Sequence, residues 1–278
     1  MPSPVQVAAE AAGVPIIATR TLKDAAIQAQ IQDLGADLGV VVAFGAIIPQ
    51  GVLDMPTHGW INLHFSDLPR WRGAAPVQWA ILSGDTATAS SVFQLEAGLD
   101  TGPVYSRIPV AINHESAGEL LARMAEVGAP QVLDVVDQIE AGSALATAQK
   151  TEGLTHAGML THEDGFIDFS APATQVDQRI RALTPDPGAW TVLPDGTRMK
   201  ILAAHAADQD HALTGREGLK SGQLLVTKKE VLVGCAQGAV FLDQVAPAGK
   251  SRMDAPAWAR GARLAADALL GQVSGGAQ

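Results

Sequence analysis

The sequence predicts an α/β domain followed by a small β-barrel, and three observations predict it. Leu38-Gly39-Val40-Val41-Val42-Ala43-Phe44 is a continuous apolar run, the pattern of a parallel strand buried on both faces. Ile61 to Phe65 alternates, with Ile61, Leu63 and Phe65 toward a core and Asn62 and His64 on the opposite face. After Pro185-Asp186-Pro187-Gly188 the rhythm changes to short apolar stretches, most of them separated by glycine-containing turns, which is how a barrel reads.

The elements follow in order. Residues 5–13 read as a helix closed by Gly13, and Pro15-Ile16-Ile17 as a short strand. Residues 23–34 place Ala26, Ile27, Ile31 and Leu34 on one helical face. Strand 38–44 is followed by the loop Gly45-Ala46-Ile47-Ile48-Pro49, then strand 60–65. Residues 74–82 carry Val77, Ala80 and Ile81 at helical spacing; 90–95 and 103–111 read as strands. Residues 116–141 form a long amphipathic helix that Pro130 is expected to kink or split. A mixed, Thr/His-rich stretch, 142–184, ends in a helix near 172–183. Strands are expected at 189–193, 198–204, 223–227, 230–235 and 239–246, then a helix over 254–270 and a frayed tail from Gly271 to Gln278.

Composition narrows the function classes. The chain has 278 residues, of which 47% are hydrophobic and 17% charged, enough to bury a core. A single cysteine, Cys235, excludes an intrachain disulfide framework, fits a reducing compartment, and sits in the apolar run Val231 to Cys235 as a buried structural thiol. No charged segment followed by an apolar one resembles a leader, and no apolar run is long enough to span a membrane, so a soluble cytoplasmic protein is expected. The net charge of −10 alone argues against nucleic acid. Its distribution is uneven: residues 185–278 carry +1 and residues 1–184 carry −11, so only the C-terminal third offers a phosphate-facing surface. No His-Glu-x-x-His or Cys-x-x-Cys spacing exists, so no metal site is expected, and His58, His114, His156, His162, His205 and His211 read as core or surface residues.

The chemistry concentrates where strand 60–65 ends. An amide and an imidazole share one face above a loop, and strand C-termini are where α/β proteins build sites. Downstream, Leu99-Asp100-Thr101-Gly102-Pro103 places a carboxylate in a turn. Asn, His and Asp together suit acyl transfer, as an oxyanion donor, a proton-transfer group and its orienter. Each also has a bland reading: a turn cap for Asn62, a core histidine for His64, an ordinary Asp-x-Gly turn for Asp100.

The run from Val41 to Tyr105 resembles the formyltransferases that use 10-formyltetrahydrofolate. The likeness is carried by Asn62-x-His64, Ser66-x-Leu68-Pro69, Trp71-Arg72-Gly73-Ala74-Ala75-Pro76 and Leu99-Asp100-x-Gly102. Pro187-Gly188-Ala189-Trp190 and Pro247-Ala248-Gly249-Lys250 extend it, so that it runs from Met1 to near Arg263. Among these enzymes it is strongest toward those whose acceptor is initiator methionyl-tRNA.

The resemblance implies a Rossmann-like catalytic domain over 1–141, a linker and helix over 142–184, and an OB-like barrel with a terminal helix over 185–278. It implies formyl transfer from 10-formyltetrahydrofolate to the amine of methionyl-tRNA, by a monomer that uses no metal and no membrane. Asn62, His64 and Asp100 would be catalytic. Phe44, Gly45, Ile47, Ile48, Ser66, Leu68, Pro69, Leu95 and Leu99 would hold the folate. Arg70 and Arg72, which flank Trp71, would contact tRNA phosphates, and Lys228 and Lys229 are the matching cations of the C-terminal third.

Three positions depart from the family pattern. Asp67 stands where an apolar residue is usual, and burying it unpaired would be costly. His156 and Met159 stand where relatives often carry Tyr and Lys. Family members also open with a strand, a turn, a helix and a second strand before their counterpart of Met1-Pro2-Ser3-Pro4. On that reading this chain starts one such unit late, and strand 38–44 is expected to lack a neighbour. The chain alone is then expected to be less soluble, less cooperative in unfolding and less able to engage tRNA than a longer form. Two rival readings stay open: another formyl-folate transferase or hydrolase, and a catalytically silent relative.

Overall fold

The computed structural model describes residues 2–207, 218–262, 264–265 and 268–271. In chain order the elements are α1 (Pro4–Ala11), α2 (Ala25–Asp33), β1 (Gly39–Val42), α3 (Gln50–Leu53), β2 (Trp60–His64), β3 (Arg72–Gly73), α4 (Pro76–Leu82), β4 (Ala87–Gln94), β5 (Val104–Ala111) and α5 (Ala117–Glu140). They continue as β6 (His156–Ala157), α6 (Ala173–Ala182), β7 (Trp190–Val192), β8 (Arg198–Ala206), β9 (Leu224–Val226), β10 (Val231–Gly234), β11 (Ala239–Pro247), β12 (Met253–Asp254) and α7 (Ala255–Ala262). The chain divides into two compact units: residues up to His64 with Ser91–Arg107 and Gly128–Gly153, and Phe65–Ser90 with Ile108–Val127 and Leu154 onward.

The first unit is organised by the sheet ordered β1-β2-β4-β5. β1 and β2 are parallel, with Val41 opposite Asn62, and β2 and β4 are antiparallel, with His64 opposite Ser91. This register fixes which β2 side chains share a face: Ile61 and Leu63 are buried, as alternation requires. α5 comes so close to β2 that a Cβ on Gly128 would lie 2.7 Å from Leu63 Cδ2, so a larger residue there would displace the Leu63 side chain. Ser3 and Asp24 cap α1 and α2 by accepting from Gln6 N and Ala26 N, which satisfies donors the helices leave free.

The second unit holds the larger core. Five antiparallel strands run in the order β7-β8-β11-β10-β9, with β12 added beside β11. Met199, Ile201, Val231, Val233, Val240, Leu242 and Val245 fill one face of this sheet against Val176 and Ile180 of α6 and Trp258 of α7. Each fully buried aliphatic side chain contributes about 1.5–3 kcal/mol of burial. Cys235 is buried there, and burial pushes its thiol up to about 12, the behaviour of a structural cysteine. A second cluster packs Val77 and Ile81 of α4 against Leu120 and Met124 of α5.

The expected elements are present with the following exceptions. Strand 38–44 is shorter and is not buried on both faces: Val41 is buried, but Val40 is 44% and Val42 53% exposed. The face that carries Val40 and Val42 is left open, and β2 is the strand's one partner among the described residues. Residues 15–17 form no strand; Ile17 instead lines a groove of about 320 Å³ with Ile27, Ile31, Val40 and Phe44. Pro130 does not split α5, which runs unbroken from Ala117 to Glu140. The terminal helix stops at Ala262, because residues 268–270 instead bond to Gly222 and Leu224 as extended chain. α3, the short parallel pair β3–β6 and β12 are additions to the expected set. Residues 272–278 of the expected tail, and His211, lie outside the described residues.

Candidate active site

β2 ends by presenting two of the three expected catalytic residues. Asn62 is half-buried and lies opposite Phe93 in register, and His64 is buried with 7% of its surface exposed. The Phe93 ring meets the imidazole edge-on, with centroids 6.1 Å apart at 88°. The third, Asp100, comes from the turn after β4 and is also buried, with its Oδ2 3.9 Å from His64 Nδ1. That is longer than a hydrogen bond, but a carboxylate at this range stabilises positive charge on the ring.

The turn that delivers Asp100 is tightly built. Gln94 N donates to Pro103 O at 2.9 Å, and a Cβ on Gly102 would lie 1.8 Å from Gln94 O, so the chain passes there only as glycine. Asp100 itself has φ 51°, in the left-handed region that costs an L-residue roughly 1–2 kcal/mol. Ala43 (φ 51°) and Trp71 (φ 60°) are the other non-glycine residues in that region among those described. All three lie in or beside segments that sequence analysis singles out, and such strain gathers at functional sites.

Folate-assigned residues of the first unit are largely open. Phe44 (41%), Ile47 (83%) and Leu99 (60%) are exposed, Gly45 is exposed, and Ile48 and Leu95 are half-buried.

The loop from Ser66 to Gly73 belongs to the second unit. Ser66 and Leu68 are fully buried, Pro69 is half-buried, and Ser66 Oγ donates to Arg70 O at 2.6 Å. Asp67 is exposed, so no buried carboxylate needs compensating. Arg70 makes a two-pronged contact with Asp85, at 2.8 and 2.7 Å, and lies 4.4 Å above the Trp71 ring. Those hydrogen bonds hold its guanidinium above the usual arginine range. Trp71 Nε1 donates to the same carboxylate at 2.8 Å, and its ring stacks on Trp79. Arg72 is buried and pairs through its backbone with His156, whereas Met159 is 75% exposed.

Lys228 and Lys229 stand exposed in the turn between β9 and β10, where Thr227 Oγ1 accepts from the amides of Lys229 and Glu230. They line a cavity of about 1050 Å³ with Arg260, and with the His114–Asp177 and His205–Asp243 pairs. Its charges are of both signs rather than a basic stripe.

Comparison with known proteins shows the family of the chain. Residues 1–136 match the formyl transferase family and residues 159–263 the formyl transferase C-terminal domain. A methionyl-tRNA formyltransferase of Acidothermus cellulolyticus is 47% identical over 275 residues, covering 95% of this chain and 85% of the relative. One from a Nocardioides species is 45% identical, covering 98% of this chain and 85% of the relative. The chain belongs to the methionyl-tRNA formyltransferase family.

Solved structures agree on the fold. HypX from Aquifex aeolicus, in complex with tetrahydrofolic acid, superposes with a TM-score of 0.64 at 19% identity, covering 83% of this chain and 40% of that one. WlaRD, a sugar 3N-formyl transferase, superposes with a TM-score of 0.63 at 15% identity, covering 87% of this chain and 81% of that one. The α/β formyltransferase domain with a barrel-like C-terminal domain is therefore the fold expected from the sequence. No helix among the described residues is long and apolar enough to cross a membrane.

The structure brings His64 and Asp100 together and puts Asn62 on the same strand as His64. It leaves Arg70 engaged with Asp85, Arg72 buried, and Lys228 and Lys229 in a separate turn. Sequence reasoning passes over Asp85 and Gln149. Asp85 carries a weak signal in its Gly-Asp turn after α4; Gln149 carries none, because it meets the Asp100 turn only through tertiary pairing.

Proposed function

We propose that this chain transfers the formyl group of 10-formyltetrahydrofolate to the α-amine of methionine on initiator methionyl-tRNA. Membership of a family whose relatives are 45–47% identical over almost the whole chain carries the reading. The buried His64–Asp100 pair at the end of β2 supports it with suitable chemistry.

The amine attacks the formyl carbon, a C–N bond forms, and the carbonyl oxygen becomes an oxyanion. Asn62 donates its amide N–H to that oxygen, and His64 stabilises the same charge; a preorganised donor of this kind is worth about 3–4 kcal/mol. Asp100 orients His64 and helps relay the proton that the attacking nitrogen loses. Collapse breaks the bond to N10 of the folate, which takes up a proton as it leaves. No step is assigned to a metal.

The folate would lie against Phe44, Gly45, Ile47, Ile48, Leu95 and Leu99, with Ser66, Leu68 and Pro69 shaping the loop after β2. For tRNA, exposure favours Lys228 and Lys229 as phosphate contacts over Arg70, held by Asp85, and Arg72, which is buried. The working domains are 1–141 for chemistry, 142–184 as connection, and 185–278 for tRNA. A cytoplasmic monomer completes the proposal. Incubating the chain with 10-formyltetrahydrofolate and charged initiator tRNA tests it. Formylmethionyl-tRNA should accumulate; formate release without acceptor, or formylation only of amino sugars, would replace this reading with a rival.

A further inference from the structure

We propose that Gln149 is a positioning residue that holds Asp100 against His64. Residues 147–149 run antiparallel to the start of β5, where Val104 and Thr147 exchange both backbone hydrogen bonds, at 2.8 and 2.9 Å. That register sets Gln149 opposite Gly102. The Gln149 amide nitrogen then donates to the carbonyls of both Asp100 and Gly102, each at 2.8 Å. One side chain thus spends two donors on the two residues that frame Thr101.

The geometry explains why such a brace matters. Asp100 occupies left-handed backbone, a conformation that persists only where its surroundings over-determine it. On one flank the turn is blocked by Gln94 O beside Gly102; on the other it is tied by Gln149. An amide suits this task because it presents two N–H groups to two neutral carbonyls and adds no charge beside the Asp100 carboxylate. A glutamate there would offer only acceptors, and a lysine would compete for the carboxylate. Gln149 acts through the backbone that aims Asp100.

The test follows the His64 ring by NMR and does not require turnover. Its signal is assigned by comparison with His64→Asn. Asp100 is the carboxylate the structure places beside the ring, and Phe93 presents only an aromatic edge. Asp100→Asn should therefore move the imidazole titration to lower pH. Gln149→Met, similar in length but without donors, should move it the same way, and the double variant no further than Asp100→Asn alone. If Gln149→Met melts early, Gln149→Ser carries the same comparison. An unmoved titration in a folded Gln149 variant, or a further shift in the double variant, overturns the proposal.

A kinetic arm rests on the formyl-transfer reading. There Gln149→Met should lower kcat about tenfold with KM nearly unchanged, and cause no further loss on an Asp100→Asn background. Equal losses on both backgrounds would also overturn it. Absence of formyl transfer by the unaltered chain would sink the functional reading alone, and the NMR arm would still decide the role of Gln149.

Discussion

Asp100 reaches His64 from a left-handed turn: its Oδ2 lies 3.9 Å from Nδ1 of the imidazole, and both residues are buried. The placement depends on a tight crossing of the chain. Gly102 passes so close to Gln94 O that a methyl group has no room. Gly102→Ala should therefore destabilise the chain by about 1–3 kcal/mol and displace Asp100. Gly45→Ala, where a Cβ would meet nothing within 4 Å, is the matched control. Chemical denaturation of both variants checks this, and equal stability of the two would contradict it.

Asp85 gathers Arg70 and Trp71 through three hydrogen bonds. Asp85→Ala leaves three N–H donors, two of Arg70 and one of Trp71, without that acceptor and should cost about 1–3 kcal/mol, less whatever water recovers at the partly exposed Arg70. Tryptophan emission should shift, because Trp71 stacks on Trp79. Unchanged stability and emission would show that the triad is incidental.

Acid should weaken the second unit through two carboxylates. Asp164 and Asp168 titrate below the usual range, chiefly because they accept from the backbone amides of Thr161 and Ser170. A depressed folded value means the stabilisation is fully present above the unfolded value, about pH 4, and is lost as pH falls through the lower folded value. Urea midpoints between pH 5 and pH 2 should fall less steeply in Asp164→Asn/Asp168→Asn than in the parent. Identical slopes would remove these two groups as the cause.

The tRNA assignment has its own test. Lys228→Glu/Lys229→Glu should weaken methionyl-tRNA binding and reduce its dependence on salt, while leaving folate affinity alone. Unchanged tRNA affinity would show that the mixed charges around that cavity describe it better than its lysines do.

Much of this was legible in the residues, for identifiable reasons. β2 announces itself because Ile61 and Leu63 alternate with Asn62 and His64, and α5 because Leu120, Met124 and Ile139 recur on one buried face. β1 is misjudged only in its burial, because an apolar run shows that a strand is hydrophobic and not which of its faces is covered; its place beside a single strand is expected. Ile17 misleads similarly, since an apolar residue suits a groove wall as well as a strand. Asn62, His64 and Asp100 stand out as candidates through family resemblance; composition alone leaves Asp100 an ordinary turn. Gln149 was not readable at all, because its meaning depends on pairing with a segment more than forty residues earlier.

The measurement that bears most directly on the account is formylation of charged initiator tRNA by the chain and by its His64→Ala variant, with thermal melts of both. The account predicts that the chain transfers formyl from 10-formyltetrahydrofolate and that His64→Ala loses at least ~100-fold in turnover while melting at nearly the same temperature. Near-equal turnover by the two proteins would remove the His64–Asp100 pair from the chemistry, and no transfer by the parent would contradict the proposed function itself.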